Sequence, residues 1–263
     1  MKYYIDTEFL EGTQTKRFLW VNIGKTKPTI DLISIGIVAE NNKKYYAVSK
    51  DFNLKEAWNR YQIKQVSGDA RNIYPQGVKE YWIRENVLKP IFDEWLEIDY
   101  NKCNFNYNNF KWHLNEKGKT NTQIAKEVKN FINAENFKSG GEFLLGDFYP
   151  NIPATSEFYG YYCDYDWVAF CWLFGKMIDL PHGFPMHCTD LKQELDKRVE
   201  SLSWSYHKDI LNEDNVEGDR LATFDEKLNK IKKLEGYPKQ INNHNAIYDA
   251  NWNKKLHEFL NKL

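Results

Sequence analysis

The chain has 263 residues, of which 42% are hydrophobic, 28% charged and 16% aromatic. This composition is typical of a globular protein and excludes a largely disordered chain, and a chain of this length needs no metal or disulfide to fold. A net charge of −1 excludes a strongly basic nucleic-acid coat, although a local patch or bound cations can still hold phosphate in an enzyme.

The cysteines and the first residues indicate the cellular compartment in which the protein is found. The four cysteines include no Cys-x-x-Cys pair, residues 1–6 contain no apolar leader, and no run of 18 apolar residues occurs. The sequence therefore predicts a cytoplasmic protein with reduced thiols and no membrane-spanning helix.

Strands dominate the predicted start of the chain. Residues 2–9 are β-branched and aromatic apart from the acids, and residues 30–40 form a nearly continuous apolar run of strand length. A turn over 41–43 joins this second strand to a third over 44–52, which predicts a hairpin. Residues 11–29 are polar and are interrupted by glycine and proline, which is typical of a connection.

Helices are predicted next. Residues 78–97 carry apolar side chains at spacings of three to four, which indicates a helix that is kinked or split at Pro90. Residues 99–118 are rich in Asn and lack clean periodicity, so an inserted loop is expected there. A helix is predicted over 122–134, with an N-cap supplied between Thr120 and Thr122.

The second half alternates between strands and helices. The predicted strands cover 142–149, 156–164 and 184–188, and the predicted helices cover 166–178, 189–200, 225–235 and 246–263. Three strands followed by this alternation predict one α/β domain with a mixed sheet over residues 1–263. This domain is expected to contain insertions, among them the loop over 99–118.

Two carboxylates share the first strand. Asp6 and Glu8 are two residues apart, so their side chains leave the same face of the sheet, with Cα atoms about 7 Å apart. Two acids on an otherwise apolar strand repel each other unless a cation lies between them. The alternative is the solvated face of an edge strand.

Three further residues are candidates for the same chemistry. Asp166 opens an apolar helix, where it serves either as a helix cap or as a functional acid, and Asp164 competes for both roles. His244 and Asp249 stand five apart at the entrance to the last helix. A histidine at a helix start is commonly a surface residue, but Ala246 and Ala250 would let this helix approach a strand closely.

Together these residues follow the order Asp-x-Glu, Asp, His-x₄-Asp, which resembles the DEDDh 3′–5′ exonucleases of the ribonuclease H-like fold. Within them, the chain most resembles the small mycobacterial-type 3′–5′ exoribonucleases. The stretches that carry the resemblance are YIDTEF at 4–9, LISIGIVAE at 32–40, YYAVS at 45–49, WIRENVL at 82–88, YDWVA at 165–169 and HNAIYDA at 244–250. The chain is longer than the compact members of this family, and the resemblance implies that the extra length forms insertions near 11–28, 99–140 and 201–243.

The resemblance implies a mixed five-stranded sheet with flanking helices and a site for two Mg²⁺ or Mn²⁺ ions. Such ions prefer carboxylate oxygens and clamp a scissile phosphate in pairs. By the same resemblance, Asp6, Glu8, Asp166 and Asp249 are the metal ligands. His244 is the expected general base, which takes a proton from the attacking water.

The resemblance also implies how a 3′ end is bound. The residues after the first acidic motif are Phe9 and Leu10, which would pack on the terminal nucleotide, with core packing of Phe9 as the alternative. Arg84 is the candidate phosphate contact. Trp82 lies in the same stretch and is interpreted as core.

The predicted function is a metal-dependent 3′–5′ exoribonuclease that releases nucleoside 5′-monophosphates from single-stranded RNA or a 3′ overhang. One alternative keeps the chemistry but acts on single-stranded DNA or on very short oligonucleotides. Another is a non-catalytic module that binds nucleic acid or nucleotides. Related enzymes are often dimers, so a homodimer is expected, and no membrane partner is expected.

Overall fold

The computed structural model describes residues 1–18, 21–66, 76–99, 103–136, 143–144, 147–148, 156–201 and 223–263. Its centre is a five-stranded sheet whose members are β1 (Lys2–Gly12), β4 (Thr29–Ala39), β5 (Lys44–Val48), β10 (Glu157–Gly160) and β11 (Thr189–Asp190). The strand order is β11-β10-β1-β4-β5. Strand β4 is antiparallel to β1 and β5, whereas β10 is parallel to β1 and to β11. The sheet is mixed, as in the ribonuclease H-like fold that the sequence predicts.

Helices cover both faces of this sheet. They are α1 (Leu54–Asn59), α2 (Lys89–Asp99), α3 (Tyr107–Lys117), α4 (Asn121–Asn136), α5 (Asp164–Phe174), α6 (Leu191–Ser201), α7 (Phe224–Ile231) and α8 (Ala246–Leu260). Alternate residues of β1 divide between the two faces: Tyr3 and Ile5 pack with α4 and α5, while Tyr4 packs with Ala250 of α8. The predicted α/β class is therefore confirmed, and the single-domain organisation stays a prediction.

Short hairpins lie outside the central sheet. Strands β2 (Thr15–Phe18) and β3 (Val21–Lys25) pair within the stretch expected to be an irregular connection, so that expectation is wrong. Strands β6 (Gln62–Val66) and β7 (Gln76–Glu80) form a second hairpin. Residues 143–144 and 147–148 form two-residue strands, β8 and β9, that pair with each other rather than joining the sheet.

The helix predicted over 78–97 starts later than expected because its first residues belong to β7. A π-helical turn, Arg84–Leu88, precedes α2, and the Lys89 N–H donates to the carbonyl of Arg84, five residues earlier. Pro90 follows immediately and has no N–H to continue a regular ladder. The predicted irregularity at Pro90 therefore takes the form of a π-turn.

Residues 107–117 form helix α3, so the loop predicted over 99–118 is wrong there. The side chain of Asn106 caps the helix by accepting from the Asn109 N–H at 2.9 Å. Phe110, His113 and Leu114 are buried, which is the i, i+3, i+4 pattern of one helix face. The high asparagine content made this short helical pattern hard to recognise in the sequence.

The other predicted elements are recovered with shifts of a few residues. The helix predicted over 122–134 lies within α4, and Thr120 is its cap. The turn predicted over 41–43 joins β4 to β5, with Asn42 at φ 68°. The strand expected at 184–188 lies instead at 189–190, and the helix expected over 246–263 ends at Leu260. Residues 202–222 of the insertion expected at 201–243 lie outside the described residues.

All four cysteines are free thiols. In the part of the chain that the structure describes, no helix combines the length and the apolar character needed to cross a membrane.

Candidate active site

Strand β1 carries the first two acids in the middle of the sheet. Asp6 lies opposite Gly36 of β4, and Glu8 lies opposite Ser34. The register shifts between Glu8 and Phe9, which is a β-bulge of the kind common beside active sites. Asp6 and Glu8 therefore present their carboxyl groups on the α8 side, just before the strand pairing becomes irregular.

Helix α8 approaches the sheet closely at Gly36. A Cβ atom at this position would lie 2.2 Å from the carbonyl oxygen of Ala246, so only glycine permits the approach. Asp249, in the first turn of α8, is brought to the acids of β1 as a result. Carboxylate oxygens of Asp6, Glu8 and Asp249 all lie within 4.8 Å of one another.

Hydrogen bonds hold both oxygens of Asp249. Gln240 Nε2 donates to Oδ1 at 2.6 Å, and the backbone N–H of His244 donates to Oδ2 at 2.8 Å. Gln240 was not predicted from the sequence, because it lies in an irregular segment. In such a segment, residue spacing does not indicate which way a side chain points. These bonds fix the carboxylate and tie the turn before α8 to it.

His244 sits on that turn in a left-handed conformation, with φ 65°. Such a φ is uncommon for residues other than glycine and is typical of tight or functional turns. The His244 ring packs edge-to-face on Trp82, with ring centroids 4.7 Å apart. Trp82, interpreted from the sequence as core, is half-buried and supports the histidine.

Asp166 reaches the same strand from α5. Its Oδ1 accepts from the Thr7 N–H at 2.8 Å and from the Thr7 hydroxyl at 2.6 Å. Asp166 is 6% exposed, whereas Asp164 is exposed, so the structure separates the two candidates. Thr7 lies between Asp6 and Glu8, and this places Asp166 beside the acid cluster.

Crowding raises the pKa values of these acids. The pKa of Asp6 lies well above its usual range because of desolvation and then repulsion from Asp166 and Glu8. Burial, with repulsion from Asp249 and Asp166, raises the pKa of Glu8 to about 8. Burial raises the pKa of Asp166 to about 6 against the lowering effect of its Thr7 bonds, and burial also raises the pKa of Asp249.

A cavity of about 380 Å³ opens beside Glu8. Its lining includes Phe9, Tyr61 and Trp82. Phe9 is half-buried and also packs edge-to-face on Tyr165, with ring centroids 5.8 Å apart. One of the three predicted substrate contacts therefore faces open space next to an acid.

The other two predicted contacts lie elsewhere. Leu10 is 0% exposed and packs in the core with Ile33 and Val48. Arg84 does not line the cavity; its Nε donates to Glu85 at 2.9 Å, and its guanidinium lies 3.9 Å from the centre of the Tyr81 ring. Contact of Leu10 and Arg84 with a terminal nucleotide stays a prediction.

Comparison with curated proteins finds two relatives, both 3′–5′ exoribonucleases of Mycobacterium tuberculosis, one from strain CDC 1551 and one from strain H37Rv. Each is 32% identical over 101 residues, which is 38% of this chain. The matched part spans about half the length of these relatives, 48% in each case. No protein-family model matches the chain.

The donor set fits hard divalent cations. All four acids offer oxygen ligands, which Mg²⁺ and Mn²⁺ prefer over thiolate. The raised pKa values of Asp6 and Glu8 show that their negative charges are poorly compensated by the surrounding protein. A bound cation would supply that compensation, and Asp6, Glu8 and Asp249 have the mutual distances to hold one.

Proposed function

We propose that this protein is a metal-dependent 3′–5′ exoribonuclease that releases nucleoside 5′-monophosphates. The cluster of Asp6, Glu8 and Asp249, with oxygens within 4.8 Å of one another, is the observation that carries the proposal. Similarity to the two mycobacterial exoribonucleases supports RNA as the substrate and the 3′ end as the starting point.

Four acids hold two Mg²⁺ or Mn²⁺ ions in this proposal. Asp6, Glu8 and Asp249 form the first site, and Asp166, beside Asp6, contributes to the second. When bound, such ions neutralise the phosphate and make water more acidic. Gln240 and the backbone of His244 keep Asp249 oriented toward the site.

His244 acts as the general base. It takes a proton from the water that attacks phosphorus, and the bond from phosphorus to the 3′ oxygen of the preceding nucleotide breaks. That oxygen leaves with the shortened strand and is protonated, while the phosphate stays on the 5′ oxygen of the released nucleotide. Trp82 positions the imidazole through its edge-to-face contact.

The cavity beside Glu8 receives the 3′-terminal nucleotide. Its volume, about 380 Å³, falls within the range of small-molecule sites. Phe9 and Trp82 supply the aromatic surface on which a base packs. Cytoplasmic location and homodimeric assembly stay predictions.

A labelled-ladder assay tests the proposal. Purified protein with Mn²⁺ should shorten 5′-labelled single-stranded RNA one nucleotide at a time, and Asp6→Asn should lower the rate by at least about a hundredfold because a shared ligand is lost. Asp166→Asn should have a comparable effect, while the exposed neighbour Asp164→Asn serves as the matched control and should cleave normally.

Other results would redirect the assignment. Faster shortening of single-stranded DNA than of RNA would favour the DNA exonuclease, and cleavage confined to di- and trinucleotides would favour the oligoribonuclease. RNA that is shifted on a gel but left intact in Mn²⁺ would favour the binding module. Full activity in Asp6→Asn would overturn the site itself.

A further inference from the structure

The β6–β7 hairpin and the turn that follows it present two contacting aromatic rings, each with a cationic side chain packed on it. Lys79 Nζ lies 4.3 Å from the centre of the Tyr61 ring, and the Tyr61 and Tyr81 ring centroids are 5.8 Å apart. The Arg84 guanidinium lies 3.9 Å from the centre of the Tyr81 ring. We call these four residues, Tyr61, Lys79, Tyr81 and Arg84, the ladder.

Strand pairing explains why the ladder forms. Gln62 pairs with Glu80 and Ile63 pairs with Lys79, so Tyr61 and Tyr81 flank the same end of the hairpin. Because side chains alternate between the faces of a strand, Tyr61 shares its face with Lys79. Lys64 and Glu80 belong to the other face, where they form a salt bridge of 3.4 Å.

The two faces differ in whether their lysine is ion-paired. On the ladder face, Tyr61 is 48% exposed and Lys79 is exposed. Within the described ranges, no carboxylate forms an ion pair with Lys79, whereas Lys64 is paired. The ladder face therefore combines an open aromatic surface with a cation that is free to meet an anion.

The ladder continues directly from the candidate active site. Tyr61 lines the cavity that also contains Glu8, Phe9 and Trp82. A nucleic-acid strand with its 3′-terminal nucleotide in the cavity would run out of the cavity past Tyr61. Tyr61 contacts both Lys79 and Tyr81, and Tyr81 in turn contacts Arg84.

We propose that the ladder binds the nucleotides on the 5′ side of the terminal one, in a single-stranded nucleic acid. Bases stack on exposed aromatic rings whatever their sequence, and the cations beside the rings meet the phosphates. A paired strand keeps its bases stacked inside the duplex and cannot use the rings. This inference rests on the proposed function for its direction, but the ladder can be tested without cleavage.

Fluorescence anisotropy in EDTA measures binding alone. The probe is a 5′-labelled ten-nucleotide single-stranded RNA, and the full-length variants are Tyr61→Ala, Tyr81→Ala and Lys79→Ala. Each aromatic truncation should raise Kd by about tenfold, because a stacking contact is lost. Lys129→Ala is the charge control: it removes the same charge from the exposed side of α4 and should leave Kd unchanged. Tyr61→Phe, which keeps the ring, should bind like the parent.

Cleavage then gives a second readout. In Mn²⁺, the ratio of kcat/KM for the ten-nucleotide RNA to that for a dinucleotide should fall about tenfold in Tyr61→Ala and Tyr81→Ala. A ratio that does not change, together with unchanged Kd, would overturn the ladder while leaving the exonuclease proposal intact. Equal weakening by Lys79→Ala and Lys129→Ala would also overturn it, since it would indicate unspecific charge attraction.

The two proposals fail in different ways. Binding that depends on Tyr61 and Lys79, in a protein that never cleaves RNA, would support the ladder and contradict the exonuclease. No detectable RNA binding by the parent protein, with the dinucleotide still cleaved, would contradict the ladder only. Tighter binding of a blunt duplex than of the single strand would overturn the ladder as well.

Discussion

Four carboxyl groups are crowded around residues 6–8 of β1, and each has a raised pKa. Desolvation is the first cause for every one of them, and for Asp6 and Glu8 repulsion from neighbouring acids adds to it. A folded protein that gathers acids in this way loses stability when they ionise. Such an arrangement is explained if a cation normally balances the charge.

The pH dependence of stability in EDTA tests this crowding. Glu8 has a pKa of about 8 in the folded chain and 4.5 as its ordinary value, so between these pH values the folded state binds more protons than the unfolded state. The free energy of unfolding should therefore fall as the pH rises from 4.5 to about 8. Glu8→Gln should flatten this fall and raise Tm at pH 8, as followed by thermal melts.

Glu97→Gln is the control for that experiment, because Glu97 is exposed and distant in sequence from the cluster. It should melt like the parent at every pH. A Glu8→Gln variant with the parent's pH profile would show that the acids are not crowded in solution.

Gln240 gives a second prediction at the scale of one residue. Gln240→Ala removes the 2.6 Å hydrogen bond to Asp249 Oδ1 and should weaken Mn²⁺ binding by about tenfold, as is usual when a partner of a metal ligand is lost. Calorimetric titration measures this. Asn243→Ala, an exposed substitution in the same turn, should bind Mn²⁺ normally. Equal Mn²⁺ affinity in the two variants would show that Gln240 does not support the metal site.

Among the elements, the contact between β4 and α8 decides whether the site exists. Gly36 is the point where the backbone of α8 meets the sheet, and Asp249 lies in the first turn of that helix. Any side chain at position 36 must displace the start of α8 from Asp6. If the acids bind a metal as proposed, metal binding depends on helix packing at this one glycine.

Gly36→Ala tests this linkage. The added methyl would lie 2.2 Å from the Ala246 carbonyl oxygen, so α8 must shift, at a cost of about 1–3 kcal/mol typical of overpacking. Denaturant unfolding should show that loss, and Mn²⁺ should stabilise the variant less than the parent. Ser34→Ala, a buried change on the same strand that adds no bulk, should keep the Mn²⁺ response; a Gly36→Ala variant with parental stability and response would contradict the account.

At the scale of the whole molecule, the acids come from β1, α5 and α8, which are far apart in the sequence. A cation that bridges them binds the folded chain and not the unfolded one. Such a ligand stabilises the fold by about 2.7 kcal/mol at a concentration a hundred times its Kd.

Mn²⁺ at saturating concentration should therefore raise Tm by about 5 °C or more, given a shift of roughly 2–4 °C per kcal/mol for a chain of this size. Asp6→Asn and Asp249→Asn should abolish the rise, whereas Asp164→Asn should retain it. Differential scanning calorimetry with and without Mn²⁺ measures the shift, and an equal rise in all variants would indicate binding elsewhere.

The sequence by itself determined the strands at 2–9, 30–40 and 44–52, the long helices and the α/β class, because hydrophobic periodicity is a local property. It also singled out Asp6 and Glu8, since a strand period of two fixes their common face. Helix α3 and the β2–β3 hairpin were missed because polar composition masked their short patterns.

Only the tertiary structure decided how distant residues meet. Gly36 carries no side chain, so nothing in its own chemistry indicates that α8 would approach there. The choice of Asp166 over Asp164, the support of Asp249 by Gln240 and the alignment of Tyr61 with Lys79 depend on packing between separate elements. Such contacts are set by three-dimensional packing, and residue spacing along one chain contains little of that information.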